Sequence, residues 1–271
     1  MLQLMYVTNV PEVAVIAQQC GVDRIFVDLE IIDKQERQKG LNTVQSKHTI
    51  EDVKSLRKIL KNSSLIVRCN PIHKHSRKEI EMIIEAGADI IMLPYFKTVH
   101  EVQFFLSLVN HRTKTCLLFE TKEAVEQVDI ILDLDKIDEV YIGLNDLHLS
   151  YGMKFMFEPL ANGCVEQLCN KFSNKHLPYG FGGLARIGQG MLPAEKIIME
   201  HYRLGSTIAI LSRTFCNADL ADSIESIRKT FFSGLQEIRN LEYGLLQNAT
   251  PENYSDNQQV VQLTVNKIVN R

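Results

Sequence analysis

Short apolar runs recur along the chain and alternate with longer segments that have a helical pattern. The short runs are apolar at consecutive positions rather than at every second one, which is typical of parallel strands buried on both faces. The predicted strands are Gln3–Val7, Ile25–Leu29, Leu65–Cys69, Ile90–Leu93, Thr115–Phe119, Glu139–Ile142, Tyr179–Gly182 and Thr207–Leu211. The predicted helices are Pro11–Cys20, Ile50–Lys61, Ser76–Ala86, Val99–Asn110, Lys122–Leu132, Asn162–His176 and Pro193–Leu204.

The residues at the helix ends support these assignments. Pro11 and Pro193 suit the first turn of a helix, and Thr49–Asp52 has the pattern of an N-terminal cap. Glycine is common just after a helix, where the backbone turns left-handed. Three glycines stand at such positions: Gly21, Gly87 and Gly205.

This alternation predicts an α/β protein with a (β/α)8 TIM barrel, because eight strand and helix units fit into about 215 residues. A flavodoxin-like core with additions is the alternative. No linker rich in Pro, Gly or Ser divides the chain, so residues 1–215 are predicted to form one catalytic barrel domain. Residues 216–271 are predicted to form a C-terminal helical extension, packed on the barrel or on a neighbouring subunit. It consists of a long amphipathic stretch, Asp219–Leu246, and a polar tail, Gln247–Gln259, for which we expect weak order.

Composition excludes several classes of partner. The 271 residues include 30 Lys and Arg against 33 Asp and Glu, so the chain lacks the positive charge that nucleic acid binding requires. The longest apolar runs, such as Cys116–Phe119, are far shorter than the roughly 20 residues of a membrane-spanning helix. The N-terminus lacks the pattern of a signal peptide, and the six cysteines form no CxxC pair. We therefore expect a reduced, cytoplasmic protein that binds neither nucleic acid nor membranes.

Charged residues cluster where the predicted strands end, which is the end of a barrel that holds the active site. Glu120 and Asp146 follow neighbouring strands and could face one point, and two carboxylates with open positions suit Mg²⁺ or Mn²⁺. Arg68 could bind a substrate carboxylate through two hydrogen bonds. Structural roles are equally compatible with the pattern: Glu120 as a helix cap, and Arg68 as an interior ion pair with Asp28 or Glu30.

Several motifs, taken in order, resemble those of the HpcH/HpaI aldolase and citrate lyase β-subunit family, from the first strand to Arg213. The resemblance implies a (β/α)8 barrel that binds a divalent metal and a pyruvate-like 2-oxo acid. It implies Glu120 and Asp146 as metal ligands and Arg68 as the carboxylate-binding group, in a homo-oligomer whose C-terminal helix packs against a partner subunit. The motifs are Val27–Glu30, Val67–Pro71, Ala86–Asp89 with Met92–Pro94, and Phe119–Thr121 with Ile142–Leu147.

These roles predict a metal-dependent carbon–carbon lyase of the class II aldolase type. The cation would polarise the 2-oxo acid, and the resulting enolate would add to an aldehyde. Asp28 and Glu30 are the first candidates for proton transfer, as a carboxylate pair that orients a water. Two alternatives stay open: an acyl-CoA lyase of the malyl or citramalyl type, similar to citrate lyase β-subunits, and a non-catalytic barrel that serves as a binding module.

The chain departs from the family pattern after Glu30. The aldolase branch has His there and the citrate lyase branch has Asp, whereas this chain has Ile31. Imidazoles that could take over proton transfer are His48, at the end of the segment Asp33–His48, and two residues near other strand ends, His73 and His148.

The glycine-rich segment Gly180–Gly190 contains a formal G-x-G-x-x-A match. A dinucleotide-binding turn would need an acidic residue at the end of a following strand, and Glu200 falls within a predicted helix instead. We therefore expect a loop after the seventh strand, in which Gly182 and Gly183, with Arg186 and Arg213, bind a phosphate or sugar-acid group of the second substrate. Tight packing is an equally good explanation for the two glycines.

Overall fold

Eight parallel strands close into a barrel in the computed structural model of the chain, which describes residues 1–32, 47–218, 221 and 223–270. Each strand pairs with its neighbour in sequence, and β8 pairs with β1. The strands are β1 (Gln3–Val7), β2 (Arg24–Asp28), β3 (Ser64–Arg68), β4 (Ile90–Leu93), β5 (Lys114–Phe119), β6 (Glu139–Ile142), β7 (Tyr179–Leu184) and β8 (Ile208–Leu211). The closed sheet confirms the predicted TIM barrel over a flavodoxin-like core, because a doubly wound sheet has open edges.

Two buried layers explain why the strands are apolar on both faces. Alternate strand residues fill the interior of the barrel, among them Phe26, Met92 and Tyr141, and the others pack against the surrounding helices. At the N-terminal ends of the strands an ion pair crosses the interior, with Nη1 of Arg24 2.5 Å from Oε1 of Glu139. The interior is therefore a packed core, and the opposite end is left for a site.

Helices follow the strands and begin at caps that the sequence signals. Thr49 and Asp52 form a capping box at the start of α2, and Pro11 is the first residue of α1. The helix predicted over Lys122–Leu132 is interrupted at Gln127. The helices are α1 (Pro11–Gln19), α2 (Ile50–Ile59), α3 (Ser76–Glu85), α4 (Val99–Val109), α5 (Lys122–Glu126), α6 (Val128–Leu132), α7 (Leu144–Ser150), α8 (Glu158–Ala161), α9 (Cys164–Asn174), α10 (Ala194–Arg203), α11 (Ile224–Asn248) and α12 (Pro251–Val269).

The long helix α11 packs between α10 and α1 and so occupies the place of the helix after β8. Ile227, Phe231 and Ile238 are buried on its inner face. At Gly234 the helix passes so close to Phe215 that a Cβ there would lie 2.8 Å from the ring. The part of the predicted amphipathic stretch that belongs to α11 thus packs on the barrel of its own chain.

The weak order expected for Gln247–Gln259 is wrong, because most of this segment belongs to α12. A capping box formed by Thr250 and Asn253 begins the helix. Asn257 is buried and donates hydrogen bonds to the carbonyl of Lys196 (3.0 Å) and to Oε1 of Glu200 (2.9 Å). The buried pair of Asn257 and Glu200 thus fixes α12 on the barrel, although the sequence of this segment is too polar to predict that it is buried.

No helix in the described part of the chain is long and apolar enough to cross a membrane. The six cysteines, all within that part, are free thiols.

Candidate active site

Arg68 forms the centre of a buried charge cluster at the C-terminal ends of β2 and β3. Asp28 and Arg68 are the last residues of their strands and lie side by side in the sheet register. Nε and Nη2 of Arg68 each donate to Asp28, at 2.8 Å to Oδ1 and 2.8 Å to Oδ2. Oε2 of Glu30, whose side chain is fully buried, lies 3.3 Å from Nη2. The interior ion pair considered from the sequence is therefore present, and it includes both carboxylates.

The surroundings of Arg68 keep its guanidinium charged. Burial acts to lower its pKa, but the carboxylates of Asp28, Glu30 and Glu120 outweigh burial and raise the pKa well above its ordinary value. In the described residues the hydrogen bonds of Arg68 run through Nε and Nη2. Asp28 therefore takes up the edge of the guanidinium formed by Nε and Nη2, and binding of a substrate carboxylate by Arg68 stays a prediction.

Glu120 and Asp146 lie at the ends of the neighbouring strands β5 and β6. Glu120 directly follows β5, and Asp146 is in the first turn of α7, just after β6. Both are buried, with exposures of 3% and 6%. Oε1 of Glu120 accepts a hydrogen bond from the backbone N–H of Tyr95 (2.9 Å). A Cβ at position 143 would lie 2.6 Å from Oε2 of Glu120, so Gly143 leaves the room that this carboxylate occupies.

These two residues fit a divalent cation that keeps open coordination positions. Mg²⁺ and Mn²⁺ prefer carboxylate oxygens and commonly take only one or two from the protein, with water and substrate as the other ligands. Among the described residues, no group of three or more His, Cys, Asp or Glu side chains is arranged to hold a metal. A cation at Glu120 and Asp146 would therefore have positions free for a substrate.

Tyr95 is a site residue that sequence reasoning missed. Its backbone is left-handed (φ 48°), which is uncommon for a residue other than glycine. This turn after β4 aims the Tyr95 N–H at Glu120. Nothing in the Tyr95 side chain signals such a backbone, and the hydrogen bond to Glu120 comes from a residue 25 positions further along the chain.

Gly182 and Gly183 both lie within β7, which is longer than predicted, so the expected loop after the strand begins only later. The pairing of β7 with β8 shifts between Gly180 and Gly183. The hydroxyl of Tyr141 spans this irregularity, donating to the carbonyl of Gly182 (2.6 Å) and accepting from the N–H of Ile210 (3.0 Å). The packing explanation for these glycines is therefore supported, and a ligand role stays a prediction.

The two arginines near β7 and β8 lie in different surroundings. Arg186 donates from Nη2 to the carboxamide oxygen of Gln189 (2.7 Å, in the amide orientation that satisfies both groups). Its aliphatic part packs against α11 beside Gly234. Arg213 is exposed in the turn after β8. Substrate binding by either residue stays a prediction.

Of the candidate imidazoles, His48 contacts the cluster. Its Nδ1 accepts a hydrogen bond from the backbone N–H of Asp28 (3.0 Å), so its proton lies on Nε2. His148 is buried with Nδ1 3.1 Å from the carbonyl of Leu144 in its own helix, and Nδ1 of His73 is 2.9 Å from the hydroxyl of Ser76. The other candidates between Asp33 and His48 lie outside the described residues, apart from Lys47.

Comparisons with known proteins agree with the fold. The family model for HpcH/HpaI aldolase/citrate lyase matches residues 3–157, more than half of the chain. An HpcH/HpaI aldolase from Desulfitobacterium hafniense DCB-2 superposes with a TM-score of 0.60 at 16% identity, over 88% of this chain and 93% of that one. An HpcH/HpaI aldolase/citrate lyase family protein from Burkholderia cenocepacia J2315 superposes with a TM-score of 0.63 at 14% identity, over 88% and 95%. No protein of curated function gives a significant sequence match.

The matched residues contain Arg68, Glu120 and Asp146 but end before β7, so Gly182, Gly183 and Arg186 are outside the match. Structural likeness at these identities shows the fold, and the family model shows the relationship. The chain belongs to the HpcH/HpaI aldolase/citrate lyase family.

Proposed function

We propose that this protein is a divalent-metal-dependent carbon–carbon lyase. It forms the enolate of a pyruvate-like 2-oxo acid and joins it to an aldehyde, or runs the reverse cleavage. Membership of the family implies a lyase-type function. The observation that carries the finer proposal is the partly buried Arg68, held by Asp28 and Glu30 and close enough to Glu120 for that carboxylate to raise its pKa.

Arg68 binds the carboxylate of the 2-oxo acid in this proposal. Its Nη1 edge donates to the substrate, while Asp28 holds the other edge and fixes the plane of the guanidinium. Glu120 and Asp146 would hold a Mg²⁺ or Mn²⁺ ion, which would supply a Lewis acid for the carbonyl of the substrate. The guanidinium of Arg68 and a cation held by Glu120 and Asp146 would thus match the two ends of a 2-oxo acid.

Proton transfer falls to Glu30. Both carboxylate oxygens of Asp28 accept hydrogen bonds from Arg68, so Asp28 orients rather than reacts. His48 is a poor base, because its Nδ1 already accepts the N–H of Asp28 and its Nε2 carries the proton. We assign to Glu30 the proton from the methyl carbon, taken directly or through a water, and to His48 a hydrogen bond to an oxygen.

Exchange of the methyl protons of pyruvate in D₂O, followed by NMR, tests this function without knowledge of the aldehyde. We expect exchange with Mn²⁺ or Mg²⁺ that is lost on adding EDTA and in Glu120→Ala. Glu126→Ala removes a carboxylate from the surface of α5 and is the matched control. Absence of exchange above background in the wild-type protein would overturn the proposal.

An acyl-CoA lyase is the second candidate, and one observation favours it. Lys74, Arg77 and Lys78 are exposed around the start of α3, which follows β3 at the same end of the barrel as Arg68. Such a basic surface suits the phosphates of CoA. Titration of CoA by calorimetry, in wild type and in Arg77→Ala with Lys78→Ala, distinguishes this candidate. Binding that weakens in the double variant supports a thioester substrate.

A further inference from the structure

The backbone that carries Glu30 is held by the side chain of Asn70. Oδ1 of Asn70 accepts hydrogen bonds from the N–H groups of Ile31 and Ile32, each at 2.9 Å. Its Nδ2 donates to the carbonyl of Leu29 at 3.3 Å. One carboxamide therefore holds the chain on both sides of Glu30, just beyond the end of β2.

Asn70 is in turn held by Glu79, in the first turn of α3. Oε1 of Glu79 accepts from the backbone N–H of Asn70 (3.0 Å) and from its Nδ2 (2.7 Å). The Glu79 side chain is largely buried, and hydrogen bonds to an ionised carboxylate are stronger than those between neutral groups. The carboxylate thereby fixes which way the Asn70 amide faces.

We infer that Asn70 and Glu79 are positioning residues that set where the Glu30 carboxylate lies. Glu79 connects α3 to the segment after β3, and Asn70 connects that segment to the one after β2. Glu30 lies between the backbone groups of Leu29 and Ile31 that Asn70 binds. The side chain of Ile31 is 64% exposed, whereas that of Glu30 is fully buried beside Arg68. The inference rests on the proposed function, in which Glu30 transfers the proton.

The role of Glu79 predicts a split between kcat and KM. Loss of the hold displaces Glu30 but leaves Arg68 fixed by Asp28, because both end regular strands. For pyruvate proton exchange we expect Glu79→Leu to lower kcat roughly 10–100-fold, with KM within about threefold of wild type. Glu79→Gln keeps an acceptor oxygen for both N–H groups of Asn70 and is expected to recover most of the lost kcat.

Two further measurements separate this role from general damage and from failure of the proposed function. Glu81→Leu changes an exposed carboxylate on the same helix and should leave kcat unchanged. Hydrogen exchange at the amides of Ile31 and Ile32 needs no activity, and Glu79→Leu should speed it about tenfold while Glu79→Gln does not. Unchanged amide exchange in Glu79→Leu would overturn the inference, whereas a wild type without pyruvate exchange but with the amide effect would overturn the proposed function alone.

Discussion

Among single residues, Gly143 decides whether Glu120 can keep its place. A Cβ at position 143 would approach Oε2 of Glu120 to 2.6 Å and its Cβ to 3.0 Å, and the backbone there (φ −85°) otherwise tolerates alanine. Gly143→Ala should therefore displace the carboxylate and weaken Mn²⁺ binding by roughly 10–100-fold. Electron paramagnetic resonance of free Mn²⁺ during a titration measures this change.

Gly244→Ala is the control, because nothing lies within 4 Å of a Cβ at that position in α11. It should leave Mn²⁺ affinity unchanged and stabilise the helix by about 0.5–1 kcal/mol. Equal Mn²⁺ affinity in Gly143→Ala and wild type would show that Glu120 is not a metal ligand.

Glu30 and His48 contact the same cluster but should differ as variants. Glu30→Gln removes the proton acceptor and should slow pyruvate proton exchange about 10²–10⁴-fold. His48→Gln removes hydrogen bonds, one of them to Asp28, and should slow exchange less than about tenfold. The two variants are compared by their rates of pyruvate proton exchange at saturating metal and pyruvate. A slower rate in His48→Gln than in Glu30→Gln would make the imidazole of His48 the proton acceptor.

At the scale of helices and strands, the sequence predicted the features that depend on residues close together in the chain. The strands, the cap of α2 and the positions of Arg68, Glu120 and Asp146 at strand ends follow from apolar runs and from motifs within them. The order of α12 depends on the contact between Asn257 and Glu200, and the length of β7 depends on Tyr141, which is about 40 residues away in sequence. Partners so distant leave no mark in the local pattern.

The approach of α11 to the barrel is another contact of this kind, and it makes Gly234 a sensitive position. A Cβ there would lie 2.8 Å and 2.9 Å from Cε2 and Cζ of Phe215, a fully buried ring with little freedom to move. Overpacking should outweigh the gain in helix propensity, so Gly234→Ala should lower the free energy of unfolding by about 1–2 kcal/mol. Urea denaturation measures it. Phe215→Leu in the same protein should relieve part of the loss, and a stabilised Gly234→Ala would contradict the close approach.

For the whole molecule, the predicted homo-oligomer remains a prediction. Exposed apolar residues on α11 and α12 provide a test of it. Large apolar side chains more than half exposed on α11 and α12 are Phe232, Tyr243, Leu246 and Leu263. We expect a homo-oligomer, with a mass by light scattering at least twice that of the chain. Leu246→Glu with Leu263→Glu should reduce the mass to one chain, whereas Ile130→Glu, on α6, should not. A monomeric wild type would contradict the expectation.

The response of the whole fold to acid should depend on one histidine in its core. His201 is completely buried, stacked on Phe181 with ring centroids 3.9 Å apart, and its Nδ1 is 2.7 Å from the hydroxyl of Ser206. Burial disfavours the charged imidazolium and lowers its pKa from 6.5 to about 3. Between these two values the unfolded chain binds a proton at this residue and the folded chain does not.

This difference makes the folded state lose stability as the pH falls from about 6.5 towards 3, by up to about 1.4 kcal/mol per pH unit for this group. Above pH 6.5 both states are neutral at His201 and its contribution is constant. The free energy of unfolding, measured in urea between pH 7.5 and 4.5, should therefore fall less steeply in His201→Gln than in wild type, whatever the loss of packing does to the absolute values. His100→Gln, which replaces an exposed histidine, should keep the wild-type slope. Parallel curves for wild type and His201→Gln would show that the folded protein protonates this imidazole as readily as the unfolded chain does, and would contradict the lowered pKa.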